Sequence, residues 1–211
     1  MYARTTIIHA DPRRVDDGIV HIHEVAPALL AMRGCESLSL LVDRASGLCI
    51  ATAAWADHAA MRATAQSLAS TRAQTRGIMG NETEEVQEWE VDLMPSMYDA
   101  PEGACARVVW STVDVHHVDR VLDAYRTTIV PQLEELPGFC SVSLLIHRAD
   151  GRAASFVTFD TREAMEASRD DARRMRDTFV SAMEVSITDV AEFDLALAYP
   201  RVPDLVISET V

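Results

Sequence analysis

Apolar and polar residues alternate along two distant stretches of the chain, residues 2–10 and 104–112. A period of two is typical of a β-strand, because successive side chains point to opposite faces of a sheet. Each stretch is followed by apolar residues at helical spacing, from Val15 to Leu29 and from Val118 to Leu136. The same change of period, strand to helix, therefore occurs twice.

The remaining segments also come in pairs. Gly34 and Gly138 follow the first helices, where a helix commonly ends. The other predicted elements are two middle strands (37–43 with 48–55, and 141–147 with 152–159), a second helix (58–76, and from 165 to 179) and a last strand (84–93 and 187–197). Each half thus reads β-α-β-β-α-β, the split βαβ arrangement.

The two halves also match residue by residue. A shift of 104 positions brings Ser37-x-Ser39-Leu40-Leu41 onto Ser141-x-Ser143-Leu144-Leu145. Near the start the shift is 103, so one residue is gained between the first strand and Pro131. We predict a first repeat over 1–94, a linker over 95–103, a second repeat over 104–198 and a C-terminal tail over 199–211.

This pattern predicts an α+β fold of two tandem ferredoxin-like βαββαβ repeats. Each repeat has helices on one face of its sheet only, which leaves the other face uncovered. We expect the two uncovered faces to pack sheet to sheet within one chain, as an intramolecular dimeric α/β barrel.

Charge and composition restrict the classes of binding partner that we expect. The net charge is -14 and the basic residues are scattered arginines, whereas nucleic acids and anionic membranes require clustered basic residues. No segment reaches the roughly 18 apolar residues of a membrane span. Four cysteines without a CxxC pair indicate reduced, mostly buried thiols and a cytoplasmic protein.

Strand alternation also assigns candidate site residues. We expect Arg4 and Arg107 to point into the barrel and to meet carboxylates of the last strands, such as Glu88 and Glu192. Such pairs indicate either a structural ladder of ion pairs or a site for an acidic or phenolic ligand. The ligand-binding candidates are Arg4, Arg107, Ser39, Ser143, His147 and Trp55.

The chain resembles the antibiotic-biosynthesis-monooxygenase superfamily of dimeric α/β barrels, and within it a group of tandem-repeat actinobacterial proteins of unassigned function. The motifs are Gly34-Cys35-x-Ser37 and Gly138-Phe139-x-Ser141 before the second strand, and the aromatic residue that closes the third strand with the helix after it, Trp55 to Met61 and Phe159 to Met165. The resemblance implies either cofactor-independent oxidation of phenols or haem degradation.

Haem degradation is not expected. The haem-degrading members use an Asn in the first strand, a Trp and a His in the second helix. Trp55 corresponds to the Trp, but the first strands lack Asn, and the helix positions are Thr64 and Ser168. The seven histidines show no metal-binding spacing, and there is no nucleotide-binding loop. We therefore predict neither a metal nor a cofactor.

Three functions remain open. The first is a small-molecule-binding barrel with a small apolar or phenolic ligand, non-catalytic or weakly catalytic. The second is a cofactor-independent monooxygenase acting on a phenolic or polyketide-like substrate. The third is a structural or partner-binding protein with a filled barrel. A homodimer of the whole chain is a further expectation, as is docking of the tail on the other half or on another subunit.

Overall fold

A computed structural model describes residues 1–80, 84–94 and 100–200 of the chain. The first half contains β1 (Tyr2–His9), α1 (Val15–Leu30), β2 (Cys35–Val42), β3 (Leu48–Trp55), α2 (His58–Ala63), α3 (Ala65–Met79) and β4 (Glu84–Leu93). The second half contains β5 (Cys105–Thr112), α4 (Val118–Ala124), a π-helical turn (Tyr125–Ile129), α5 (Val130–Glu134), β6 (Phe139–His147), β7 (Arg152–Phe159), α6 (Arg162–Ala167), α7 (Arg169–Met183) and β8 (Ser186–Pro200).

The eight strands form one closed antiparallel barrel in the order β1-β3-β2-β8-β5-β7-β6-β4. Within each half the last strand pairs with the first, β4 with β1 and β8 with β5. Two seams join the halves: β2 pairs with β8, and β4 pairs with β6. Every strand is paired on both sides. The predicted fold class, two ferredoxin-like halves closed into an α/β barrel, is confirmed.

Apolar side chains from both halves fill the barrel interior. One cluster joins Ala3 and Trp89 of the first half to Leu145 and Ala154 of the second. Another packs Phe193 against Leu41, Ile50 and Val108 across the β2–β8 seam. Because both clusters cross the seams, burial of the two inner sheet faces holds the halves together.

The predicted direction of the first-strand side chains was wrong. Arg4 and Arg107 do not point into the barrel; they lie on its outer face, under the helices, where each donates to a helix carbonyl. Ala3, the neighbour of Arg4 on β1, lies inside the barrel instead. Both faces of each half's sheet are buried, one by helices and one by the opposite sheet. Alternation therefore shows which residues share a face, but it does not show which of the two faces meets the helices.

The second helix of each half is interrupted. The predicted helix over 58–76 consists of α2 and α3, with Thr64 between them, and α6 and α7 meet at Ser168 in the same way. The hydroxyl of Thr64 donates to Met61 O at 2.8 Å and that of Ser168 to Met165 O at 2.7 Å. Such back-bonding competes with the helical hydrogen bonds and bends the helix.

The residue gained in the second half lies in the π-helical turn. Asp11 and Asp114 cap equivalent turns at a shift of 103, whereas Pro27 and Pro131 correspond at a shift of 104. Between these landmarks α1 is a regular helix, and its counterpart contains the turn Tyr125–Ile129. A π turn accommodates one extra residue without shifting the rest of the helix.

The predicted linker and tail lie partly outside the described residues. Residues 95–99 of the linker and 201–211 of the tail are not described, and the predicted boundaries stay predictions. The last strand continues to Pro200, which pairs with Ser37, and the Tyr199 hydroxyl bonds the His23 ring on α1. The first residues of the predicted tail thus extend β8 along the first half.

Two features bear on partners and compartment. In the described ranges, no helix is both long and apolar enough to cross a membrane. Cys35, Cys49 and Cys105 are buried thiols, as predicted, and Cys140 is partly buried. The predicted cytoplasmic location and the predicted homodimer stay predictions.

Candidate functional site

Each half contains a cavity between its helices and the outer face of its sheet. The second-half cavity has a volume of about 110 Å³ and lies under α4, the π-helical turn, α5 and α7. The first-half cavity, under α1 and α3, has a volume of about 80 Å³. The two cavities occupy equivalent positions in the two halves, outside the barrel interior, and are lined by equivalent strands.

The second-half cavity is lined almost entirely by apolar side chains. Its polar lining residues are Arg107, Ser111, Tyr125, Ser155 and Arg176. A cavity of about 150 Å³ binds benzene in a protein core, so this space matches roughly one aromatic ring or a short acyl chain. It is smaller than the pockets of drug-sized ligands.

Two hydroxyl groups form the polar centre of this cavity. Tyr125 Oη and Ser155 Oγ lie 2.6 Å apart. Burial raises the pKa of Tyr125 to about 12, although the hydrogen bond with Ser155 lowers it in part. Tyr125 is therefore a neutral phenol near pH 7, able to donate or accept a hydrogen bond but poorly suited to act as a base. It starts the π-helical turn, and its ring stacks edge-on against Phe179.

Arg107 is fully engaged by its surroundings. It binds Glu192 Oε1 at 2.9 Å, Met165 O at 2.6 Å and Ser168 Oγ at 3.1 Å. Burial raises the pKa of Glu192, but hydrogen bonds from Arg169 and Arg107 outweigh it and lower the pKa below its ordinary value. These contacts fix Arg107 to the break between α6 and α7.

Arg4 has the same role in the first half. It binds Glu88 at 2.7 Å and Met61 O at 3.1 Å, and its guanidinium lies 5.4 Å from the centre of the Trp55 ring. The predicted cross-strand pairs of Arg4 and Arg107 with carboxylates are confirmed. Their geometry fits a structural role, because each arginine joins a strand to a helix interruption.

A second arginine differs between the cavities. Arg72 and Arg176 occupy equivalent positions on α3 and α7. Arg72 Nε lies 3.3 Å from Glu84 Oε1, inside the first-half cavity. Arg176 Nε has only a 3.6 Å approach to Asp177, its neighbour in the chain. In the described part of the chain, the Arg176 guanidinium makes no hydrogen bond.

Larger side chains narrow the first-half cavity. Trp55 and Leu68 stand where the second half has Phe159 and Ala172. Met79 is fully buried in the first half and packs against the site of Gly18, whereas Val121 replaces that glycine in the second half. The second-half cavity is therefore the larger of the two.

The six predicted site residues do not come together. Arg4 and Trp55 line the first-half cavity and Arg107 lines the second. Ser39 and Ser143 lie inside the barrel, at a cavity of about 70 Å³. His147 lies outside all three cavities, at the β6–β7 turn, where its Nδ1 bonds Asp150 at 2.7 Å. Their roles in ligand binding stay predictions.

Sequence reasoning did not identify Tyr125, Ser155 and Arg176 as site residues. Tyr125 falls within the predicted helix from Val118 to Leu136, close to the point where the shift changes from 103 to 104. Ser155 corresponds to Ala51 of the first repeat. This replacement of an apolar residue by a polar one could have marked Ser155 as a candidate site residue. No three His, Cys, Asp or Glu side chains of the described residues group as metal ligands.

Comparison with solved structures finds the same fold over nearly the whole chain. A candidate monooxygenase from Lactobacillus acidophilus superposes with a TM-score of 0.68 at 11% identity, covering 95% of this chain and 96% of that protein. An anthrone oxidase-like protein gives 0.64 at 17% identity, covering 98% and 96%. A heme-degrading enzyme from Listeria monocytogenes gives 0.53 at 8% identity, covering 92% and 99%. At these identities the likeness concerns the fold alone.

Sequence comparison finds much closer relatives in Mycobacterium tuberculosis. The uncharacterized protein Rv2558 is 45% identical over 208 residues, which span 98% of this chain and 88% of that protein. The uncharacterized protein Rv2557 is 43% identical over 207 residues, spanning 98% and 92%. No protein-family model matches the chain. The α/β barrel of this chain has the fold of the solved monooxygenase-like structures, and the chain belongs to the family of these mycobacterial proteins.

Proposed function

We propose that this protein binds a small, largely apolar molecule with a hydroxyl or phenolic group in the second-half cavity. One observation carries the proposal: an apolar cavity of about 110 Å³ that contains one hydrogen-bonded pair of hydroxyls, Tyr125 and Ser155. Ligand sites are typically apolar with a few polar groups that orient the ligand.

The hydroxyl pair has spare hydrogen-bonding capacity. A hydroxyl has one donor and two acceptor lone pairs, and the bond between Tyr125 and Ser155 uses one donor and one acceptor. One donor therefore remains for a ligand oxygen. A ligand without a polar group would leave this donor unpaired, which costs about 1–3 kcal/mol when the group is buried. This cost favours a phenol over a hydrocarbon of equal size.

A cofactor-independent monooxygenase is the second candidate, and it is supported by the fold shared with a candidate monooxygenase. Such chemistry on a phenol begins with proton removal, for which a base of suitable pKa is required. Among the described residues that line the second-half cavity, none is His, Asp or Glu, and the pKa of Tyr125 is raised. Binding without strong catalysis therefore agrees better with this lining.

The structural alternative rests on a different part of the molecule. The barrel interior is nearly filled, with a cavity of about 70 Å³ beside packed aromatic side chains. This filling agrees with a structural role for the interior. The proposed site lies on the other side of the sheet and does not depend on it.

The test uses 4-fluorophenol, observed by fluorine NMR, with the whole protein. We expect saturable binding that weakens at least tenfold in Ala172→Leu, because the larger side chain fills the cavity as Leu68 does in the first half. Ala182→Leu, the same change at an exposed position of α7, is the matched control and should bind normally. Equal binding by both variants, or no saturable binding to the unmodified protein, would reject the proposal.

A further inference from the structure

We propose that the ligand of the second-half cavity carries a carboxylate and that Arg176 holds it. The inference rests on the proposed function, since it names the chemical class of ligand for the same site. The class is a small aromatic monocarboxylate, with its ring among the apolar side chains and its anionic group at the edge of the cavity.

The first half shows what this arginine position binds when a carboxylate is available. Glu84 Oε1 lies 3.3 Å from Arg72 Nε and 3.9 Å from Arg76 Nη1. Only 15% of the Glu84 side chain is exposed. This carboxylate enters the first-half cavity from β4, where Glu84 pairs across the sheet with Ile8. The arginine is thereby neutralised from within the chain.

The second half keeps the arginine and lacks the carboxylate. Ser111 corresponds to Ile8, and its partner across the sheet is Ile187, because a bulge shifts the register of β8. Ile187 lines the cavity where the first half has Glu84. The site therefore has a cation, a space beside it and no internal anion at the place of Glu84.

Arg176 is available to a ligand, whereas Arg107 is not. The donors of Arg107 are engaged by Glu192, Met165 and Ser168. Arg176 has 26% of its side chain exposed, so its guanidinium lies at the cavity edge, and Asp177 approaches it only to 3.6 Å from a largely exposed position. An exposed pair of this kind is weak, and a ligand carboxylate can displace it.

The overall charge makes a specific cationic contact necessary for a carboxylate ligand. The chain has a net charge of -14, which disfavours anions near its surface. A ligand anion therefore needs a specific local cation, and a bidentate guanidinium–carboxylate contact supplies one. A neutral ligand would leave this partly desolvated arginine with its weak, exposed pair to Asp177.

The experiment compares 3-fluoro-4-hydroxyphenylacetate with its neutral analogue 3-fluoro-4-hydroxyphenylacetamide by fluorine NMR, because both keep the phenol of the proposed function and differ only in the carboxylate. We expect the carboxylate to bind about tenfold more tightly than the amide to the unmodified protein, since hydrogen bonds to charged partners are roughly twice as strong as neutral ones. Arg176→Met should reduce carboxylate binding to the level of the amide and leave amide binding unchanged. Arg174→Met, on an exposed part of α7 and paired with Asp171, is the matched control for loss of one charge.

The outcomes separate the two proposals. Saturable binding of both compounds with equal affinity, unaffected by Arg176→Met, would overturn the carboxylate inference and leave the binding function standing. Equal weakening by Arg176→Met and Arg174→Met would overturn it as well, because the effect would then come from net charge. Failure of both compounds to bind in a manner sensitive to Ala172→Leu would overturn both proposals.

Discussion

The first-half and second-half cavities occupy the same place in two copies of one fold, and they differ in a few side chains. In the first half Trp55 and Leu68 narrow the space, and Glu84 neutralises Arg72. In the second half Phe159 and Ala172 leave it wider, and Arg176 lacks an equivalent carboxylate. The comparison shows that one cavity is smaller and its arginine is neutralised within the chain, while the other is larger and keeps an arginine available to a ligand.

The largest expected effect on stability comes from enlarging the first-half cavity. Leu68→Ala removes a buried side chain and should lower the free energy of unfolding by about 3 kcal/mol, within the range for such substitutions. The measurement is chemical denaturation with the unmodified protein as reference. A loss below about 1 kcal/mol would mean that the first half relaxes around the gap and is less tightly packed than the comparison requires.

The next prediction compares the contributions of Arg72 and Arg176 to the free energy of unfolding. Arg72→Met leaves Glu84 without its nearest partner and should lower the free energy of unfolding by about 2 kcal/mol, somewhat less than for a fully buried pair. Arg176→Met should change it by less than about 0.5 kcal/mol, because its ion pair with Asp177 is exposed. Thermal denaturation of both variants at neutral pH measures the difference. Equal losses would remove the distinction between the two positions.

The smallest effect concerns Tyr125, whose counterpart Ile22 does not titrate. The folded pKa is about 12, above the ordinary value near 10, so the unfolded chain releases this proton first as the pH rises. Stability from this group is present below pH 10 and falls between about pH 10 and 12, by about 1 kcal/mol between pH 9 and 11.

The check is Tyr125→Phe, which keeps the ring and removes the titrating group. Denaturation at pH 9 and at pH 11 should show a smaller alkaline loss in the variant than in the unmodified protein. The buried thiols Cys49 and Cys105 are present in both proteins, so their contribution cancels in the comparison. Identical alkaline losses would show that burial does not raise the pKa of Tyr125.

The fold was predictable because the same pattern of strands and helices occurs twice in the sequence. Two copies of one order of strands and helices leave few topologies in which both bare sheet faces are covered. The pairs of Arg4 with Glu88 and of Arg107 with Glu192 also followed from the rule that the last strand pairs with the first. Periodicity and register carry this information directly.

The location of the site was not predictable in the same way. Alternation could not tell which face of β1 meets the helices, so Arg4 and Arg107 were assigned to the wrong side. The size of each cavity depends on single side chains from distant segments, such as Ala172 against Leu68, which a pattern of apolar positions treats as equivalent. The direction of Tyr125 depends on a π-helical turn, and no propensity rule identifies such a turn in advance.

The pairing of β2 with β8 and of β4 with β6 has a consequence for how such sites evolve. In a barrel made of two identical subunits, a mutation that seals one pocket seals its twin, because symmetry copies every change. When both subunits belong to one polypeptide, that constraint is lifted. Each side of the barrel then accumulates its own substitutions, and a single chain can keep one half for rigidity and the other for recognition.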